Sequence, residues 1–583
     1  MFVDDQRAAI LAAEQRGELL LAFDLAEQAL AQEPGDRWLQ HRAVLALARA
    51  GSTEEAERRF REYGLEQVEN EEAWSLSARL RKDRALASTG PERRRRAAEA
   101  AALYRATFDR TGGYYPAINA ATLELVGGNG EDAQALARAA LALARDADDH
   151  PYYAAATEAE ALLLLGELDA AGTALERAGT LAGGDHSAVA TTRRQLRVVC
   201  TEKAIDTALL EALVNPGVVH FCGHRPPDGG WDPQVEAELT KRIRGAVAAR
   251  RIGFAFGSMA AGADILWAEA LLDAGAELHL VFPFSAEEFL ATSVAPGGSE
   301  WVERYRLCVE RAVEVVFATE DEYLGDDILY RYASELAMGL AILRARHLDS
   351  TLEQLAVWDG RPARGAAGTA IDVARWQEKG LPATIVSSPA QPNLDGDTAA
   401  AGSSNREVRA LLFADVKGFS DLSDAQVPVF AEQVLGAFAT VLEQHADAVD
   451  YRNTWGDGLY LVLRDAATAA EVGLALHAAL ADLDTASAGL PRLALRVGAH
   501  LGPVYPIFDP VLATRAFMGA HVSRTARIEP VAPPGDVYVT EQFAAALVLE
   551  STEFECRYVG HVPAAKDYGR LRMYRLGRLS PSP

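Results

Sequence analysis

The stretch Arg409-Ala-Leu-Leu-Phe-Ala-Asp-Val-Lys-Gly-Phe-Ser-Asp-Leu422, followed further on by Asn453-Thr-Trp-Gly-Asp-Gly-Leu459, decides the fold of the C-terminal part of this chain. The first piece is an apolar run that ends in Asp415, with a Gly-Phe-Ser turn behind it. In the second, Tyr451, Thr454 and Trp455 lead into Gly456-Asp457-Gly458, and Leu459-Tyr-Leu-Val-Leu463 leads away. Asp-Gly between two β-rich runs predicts a hairpin. Asp415 and Asp457 then face one another across neighbouring strands. Two hard cations beside a phosphate require such a pair of carboxylates.

Working outward, a helical stretch is predicted over Ala466 to Leu483, and a strand over Leu493 to Val504 that contains Arg496-Val-Gly-Ala-His-Leu-Gly502. A helix follows in Gly519-Ala-His-Val-Ser-Arg-Thr-Ala-Arg-Ile-Glu529, and a closing strand in Gly560 to Tyr574, which holds Lys566. In this order the motifs resemble those of class III nucleotide cyclases, over residues 405–577. The resemblance implies an α+β, ferredoxin-like domain that converts a nucleoside triphosphate, ATP by default, to a 3′,5′-cyclic nucleotide and pyrophosphate. It implies two divalent cations, Mg²⁺ or Mn²⁺, on Asp415, Asp457 and the Val416 carbonyl. Gly418, Phe419 and Ser420 are expected to open a helix whose free N–H groups hold phosphate oxygens. Lys566 is expected on the outgoing phosphates, with Arg527 and Ser523 at the α-phosphate. In this family the two half-sets come from different subunits, so a homodimer through the cyclase domain is implied.

Three residues depart from the family pattern. Ser523 stands where the family has its transition-state asparagine. Asn453 stands where a lysine reads adenine, and its usual acidic or threonine partner aligns with Ala516. Asn453 both donates and accepts, so the base stays open between purine and pyrimidine. A rival reading takes the cyclase fold as a catalytically weak or inactive nucleotide-binding scaffold. Another places enzyme activity in the middle of the chain.

The chain of 583 residues carries a net charge of −26, which argues against a nucleic-acid surface. Arg93-Arg-Arg-Arg96 reads as a solvated helix face. The N-terminus lacks the basic region of a signal peptide, and no apolar run nears the length of a membrane span. Cys200, Cys222, Cys308 and Cys556 have no paired spacing, which fits reduced thiols in a cytoplasm.

The chain is thus expected to be multidomain, opening with an all-α helical repeat over 1–205. Gly17 and Gly51 begin similar units thirty-four residues apart, and Gly130 and Gly166 another pair thirty-six apart. This period points to tetratricopeptide-like stacking, with a protein partner on its concave face or, alternatively, a ligand-free spacer. Residues 214–386 alternate strand and helix. Gly257-Ser-Met-Ala-Ala-Gly-Ala-Asp264 with Leu280-Val-Phe-Pro-Phe284 resembles SLOG-type Rossmann-like domains. That resemblance implies a nucleotide-like ligand near Gly223, Gly257, Ser258, Gly262 and Thr369, with Asp264 capping the helix or meeting a ribose. His220 and His224 read as hydrogen-bonded histidines rather than metal ligands. Residues 387–404 read as a flexible linker that lets the cyclase move relative to the rest.

Overall fold

The computed structural model describes residues 2–227, 230–363, 365–388 and 405–579. Eleven α-helices, from Phe2–Gln15 to His186–Lys203, stack as consecutive antiparallel pairs. Side chains explain both their ends and their close approach. Asp36 accepts from the backbone N–H groups of Trp38 and Leu39, and Asn70 from that of Ala73. Ala97, Ala100, Ala101, Ala117, Ala120 and Ala121 are wholly buried where neighbouring helices meet. Gly17, Gly51 and Gly166 take the left-handed conformation at their turns. In the remaining unit the turn glycine is Gly128; Gly130 already begins the helix Gly130–Asp146, which corrects the expectation for that position.

The middle of the chain forms a sheet from β1 (Gly217–Gly223), β2 (Ile252–Gly257), β3 (Glu277–Phe282), β4 (Glu314–Phe317), β5 (Leu352–Trp358) and β6 (Ala383–Ser387). Every pairing is parallel and the order is β4-β3-β2-β1-β5-β6, so the direction of winding reverses between β1 and β5. Ligands on such sheets sit beyond the strand C-termini at that reversal.

The C-terminal sheet comprises β7 (Glu407–Lys417), β8 (Val449–Trp455), β9 (Gly458–Leu463), β10 (Ala494–Asp509), β11 (Thr514–Met518), β12 (Val537–Thr540), β13 (Phe554–Pro563) and β14 (Arg570–Arg578). Its order is β13-β14-β12-β10-β7-β9-β8, with β11 on the far end of β10. Gly560 to Tyr574 is therefore not one closing strand. It holds the end of β13, a turn with Lys566, and the start of β14, because Lys566 takes a left-handed conformation that ends the pairing. The turn after β7 also differs from expectation. It makes only a three-residue 3₁₀ turn, Phe419–Asp421, and the long helix begins at Val427.

Residues 389–404 of the linker lie outside the described residues, but what flanks them is firmly docked, contrary to the expected mobility. The helix Ile328–Leu348 packs on the helix Glu541–Glu550 so closely that a Cβ on Gly339 would lie 2.2 Å from the Ala545 carbonyl oxygen. Tyr332 donates to the Leu501 carbonyl at 2.8 Å, and buried Arg406 pairs with Asp326 at 2.7 Å. On the other side, the Phe23 and Tyr558 rings meet edge to face at 6.2 Å, and Tyr558 donates to Asp24 at 2.6 Å. One apolar core runs through all three regions. Linker composition reports only the linker; the complementary faces around it decide the mobility.

Gly339→Val is expected to lower thermal stability by about 1–3 kcal/mol, since the two helices must separate to admit the side chain. Calorimetric melting of the variant against the parent chain measures it.

Candidate active site

Asp415 sits near the end of β7, paired in the ladder with Gly458, and Asp457 lies in the tight turn just before that glycine. The two carboxyl groups are within hydrogen-bond reach of one another. Burial first, then the charge of Asp415, raises the proton affinity of Asp457 above the ordinary carboxylate range. Across the other edge of β7, Arg496 is the ladder partner of Asp415 and donates to its carboxylate.

The same guanidinium holds Glu529 at 3.0 Å. Glu529 follows the helix Ala520–Ile528, and it reaches the sheet because residue 498 is glycine: a Cβ there would lie 2.5 Å from the Glu529 nitrogen. Burial, with the charges of Asp415 and Asp457 behind it, pushes the Glu529 carboxyl up to about 7. The sequence reading gave Arg496 and Glu529 no role. Both stood inside the quoted motifs, but only the β7–β10 register brings them to Asp415.

The other candidates are distributed around this edge. Val416 buries its side chain in the core. Gly418 is left-handed, and a Cβ there would press on the Arg492 carbonyl at 3.0 Å. Phe419 meets Phe430 edge to face and lies beneath the Gly456 turn, so the loops of Ser420 and Asp457 adjoin. Asn453, on β8, accepts from the Thr454 N–H at 2.9 Å, while Ala516 is buried on β11 and presents no polar group. Ser523 and Arg527 lie one turn apart on the helix Ala520–Ile528. Arg527 and Lys566 have no hydrogen bond or ion pair among the described residues, which leaves two cations uncommitted.

Behind Ser523 the helix is held by a buried chain: His521 bonds His500 at 2.7 Å and Thr319 of the middle region at 3.0 Å. Burial pushes the His521 imidazole down to about 3, so the pair is neutral.

In the middle region, Gly223, Ser258, Asp264 and Thr369 line one cavity of about 420 Å³. Gly257 and Gly262 do not. A Cβ on Gly257 would strike the Phe221 carbonyl at 2.6 Å, and one on Gly262 would strike Pro226 at 2.6 Å, so these glycines serve close chain packing. Asp264 accepts from the Ala260 N–H at 3.2 Å; its other oxygen is unpartnered, and burial raises the carboxyl to about 8. His220 stacks on Trp376 and bonds Gln354, and His224 pairs with Asp359. Among the described residues no group of three or more His, Cys, Asp or Glu is placed to hold a metal ion. The four cysteines are free, and among the described residues no helix is long and apolar enough to cross a membrane.

Two family models match. Residues 18–124 match Tetratricopeptide Repeats-Sensor, and residues 403–577 match the adenylate and guanylate cyclase catalytic domain. No curated protein matches the chain. Among solved structures, the chain is similar to the guanylate cyclase domain of RhGC from Catenaria anguillulae in complex with GTP, at 16% identity over 30% of this chain and 97% of that one, TM-score 0.26. It is similar to the adenylyl cyclase CyaB from P. aeruginosa at 16% identity over 30% and 94%, TM-score 0.27. Adenylate cyclases from Trypanosoma brucei in their monomeric state match at 19% identity over 31% and 94%, TM-score 0.26. The C-terminal region thus matches the model of a nucleotide cyclase catalytic domain, and the N-terminal region that of a tetratricopeptide-type sensor.

The Glu529 carboxyl is expected to titrate near 7, and Asp457→Asn to lower that midpoint, because one of the charges holding the proton is gone. NMR of labelled glutamate carboxyls reads it directly. Since the folded chain binds this proton more tightly than the unfolded chain, stability falls as pH rises from the ordinary glutamate range through 7, and the loss is complete above it.

Proposed function

We propose that the chain is a class III nucleotide cyclase that converts a nucleoside triphosphate, ATP by default, to a 3′,5′-cyclic nucleotide and pyrophosphate. The observation that carries this reading is the meeting of Asp415 and Asp457 at one sheet edge, where the charge of Asp415 helps raise the proton affinity of Asp457. Two adjoining carboxylates suit Mg²⁺ or Mn²⁺, which take one or two protein carboxylates and complete their shells with phosphate and water. Asp415 and Asp457 would hold the cations, with the Val416 carbonyl beside them. When bound there, the cations supply acidity to the attacking 3′-hydroxyl and offset the triphosphate charge.

The chain's own groups do the rest. The uncommitted Arg527 offers a planar fork to the α-phosphate, and Ser523, one turn away, a single hydroxyl donor. Lys566, held outward by its left-handed backbone, offsets charge on the departing pyrophosphate. N–H groups of Gly418, Phe419 and Ser420 face the phosphates beside the Asp457 turn. Arg496 pairs with Asp415 and Glu529 and keeps the two carboxylates at one edge.

In the homodimer of this reading, one chain supplies Asp415 and Asp457 and its partner Ser523 and Arg527. Apolar side chains at the β10–β11 tip and the end of β8 support such a contact: Val511 is 89% exposed, Phe508 67%, Trp455 53% and Leu512 52%. The middle region, 214–386, is taken as a Rossmann-like sensor of a nucleotide-like ligand, with the cavity of Gly223, Ser258, Asp264 and Thr369 as its site. The repeats, 1–205, recruit a protein partner. The engagement of Asp415 by Arg496 favours one second reading, a nucleotide-binding scaffold without turnover.

Purified protein supplied with Mn²⁺ or Mg²⁺ and each of the four nucleoside triphosphates, with products resolved by mass, decides between the two. A cyclic product establishes the enzyme and names the base; none under any condition leaves the scaffold. Asp457→Ala is expected to abolish turnover with the fold intact, a loss of several kcal/mol of transition-state stabilisation. Wild-type turnover in that variant at saturating metal removes Asp457 from the site. Asp415→Ala and Arg527→Ala homodimers are each expected to be nearly inactive, and their mixture to recover one intact site per mixed dimer. Subunit exchange without recovery defeats the composite site.

A further inference from the structure

Residues 318–327 join β4 to the helix Ile328–Leu348. Tyr323 and Asp327 of this segment line the middle-region cavity, together with Tyr330 from the start of the helix. The Tyr323 ring stacks on Phe284 at 4.8 Å and meets Tyr330 edge to face at 5.5 Å. One side of the segment is therefore cavity wall.

The same segment also reaches the C-terminal region. Thr319 meets Nε2 of His521 at 3.0 Å, and its hydroxyl oxygen accepts from the Asp321 N–H at 3.0 Å. His521 stands in the first turn of the helix Ala520–Ile528, two residues before Ser523. From there His521 bonds His500 on β10 at 2.7 Å, and His500 bonds Thr540 at 2.8 Å. Thr540 in turn caps the helix Glu541–Glu550. Thr319, His500, His521 and Thr540 are each at most 2% exposed. A neutral imidazole offers one donor and one acceptor, so the three bonds run in one direction. Removing the Thr319 hydroxyl takes away the hydrogen bond of a buried ring nitrogen.

A slack loop would absorb any displacement between its two sides. This one is gathered around a single guanidinium. Arg406 donates to the Glu322 carbonyl at 2.8 Å and pairs with Asp326 at 2.7 Å and with Asp321 at 3.4 Å. Residues 321, 322 and 326 are thereby tied together, with Tyr323 between them and Thr319 bonded to the first.

On the reading of the middle-region cavity as a sensor site, we propose that residues 318–327 transmit the state of that cavity to the helix Ala520–Ile528. Tyr323 is the receiving side chain and Thr319 the delivering one. Thr319 is a positioning residue: it acts on Ser523 and Arg527 through His521 and the helix that carries them.

Amide hydrogen exchange in the full chain tests the route without requiring turnover or a ligand. Thr319→Val is expected to speed exchange in Ala520–Ile528 about fivefold, the fold-change of one lost hydrogen bond, and Thr319→Ser to keep the parent rate. Tyr323→Ala, at the cavity wall, is expected to speed exchange in the same helix, and adding it to Thr319→Val to speed it no further. Should Tyr323→Ala fail to fold, Tyr323→Leu keeps an apolar wall and takes its place. The helix Gly130–Asp146 is the internal reference, and its exchange is expected to stay at the parent rate throughout. Parent-rate exchange of Ala520–Ile528 in the Tyr323 variant, additive effects in the double variant, or equal acceleration in the reference helix overturns the route. Calorimetric titration with AMP, GMP, CMP and UMP at millimolar concentration tests the sensor reading by itself. Binding that the Tyr323 variant weakens supports that reading; no binding defeats it, while the exchange rates still decide the route.

Discussion

Two helices from different parts of the chain touch backbone to backbone, and most of the architecture follows from that contact. At Gly339 the helix Ile328–Leu348 lies against Ala545 with no room for a β-carbon. A contact this close excludes water and fixes both axes, so the C-terminal sheet has one position relative to the parallel sheet. Tyr332, Arg406 and Thr319 then find partners in Leu501, Asp326 and His521 around the same junction. Arg406 and Asp326 are both buried; removing either would leave an uncompensated charge. Polar groups specify the docking that the apolar contact drives.

The carboxylate edge of the C-terminal sheet is built on the opposite principle. Asp415, Asp457 and Glu529 crowd one end of the sheet, and Arg496 lies between them as a counter-charge. Burial and mutual repulsion raise the proton affinity of Asp457 and Glu529. Such a cluster is costly to fold. The His500–His521 pair behind it is neutral and close-packed, so it adds rigidity without adding charge.

What the sequence made legible was local. An apolar run ending in Asp415 and an Asp-Gly turn carry their own geometry, because strand alternation and turn chemistry act over a few residues. The repeat glycines are readable for the same reason, although Gly128 rather than Gly130 makes its turn. Arg496 and Glu529 were out of reach because their meeting depends on which residue of β10 opposes Asp415. Gly257 and Gly262 were expected beside a nucleotide-like ligand from a family resemblance, yet Phe221 and Pro226 occupy the space around them. The linker misled for a related reason: Gly, Ser and Pro describe a tether, and a tether says nothing of the surfaces it joins.

The edge-to-face contact of Phe23 with Tyr558 has an architectural consequence of its own. Gly560, beside it, has φ of 119° and faces the Phe23 ring at 3.0 Å from where a β-carbon would stand. The last hairpin of the catalytic sheet, β13 with β14, is thus completed by a side chain from the second helix of the chain. The catalytic region is not an exchangeable cassette. Cut free of its amino-terminal half, it would carry a raw apolar seam along both Tyr558 and Ala545. Measurements on such a fragment would describe a domain with this seam exposed rather than the domain as it sits in the full chain.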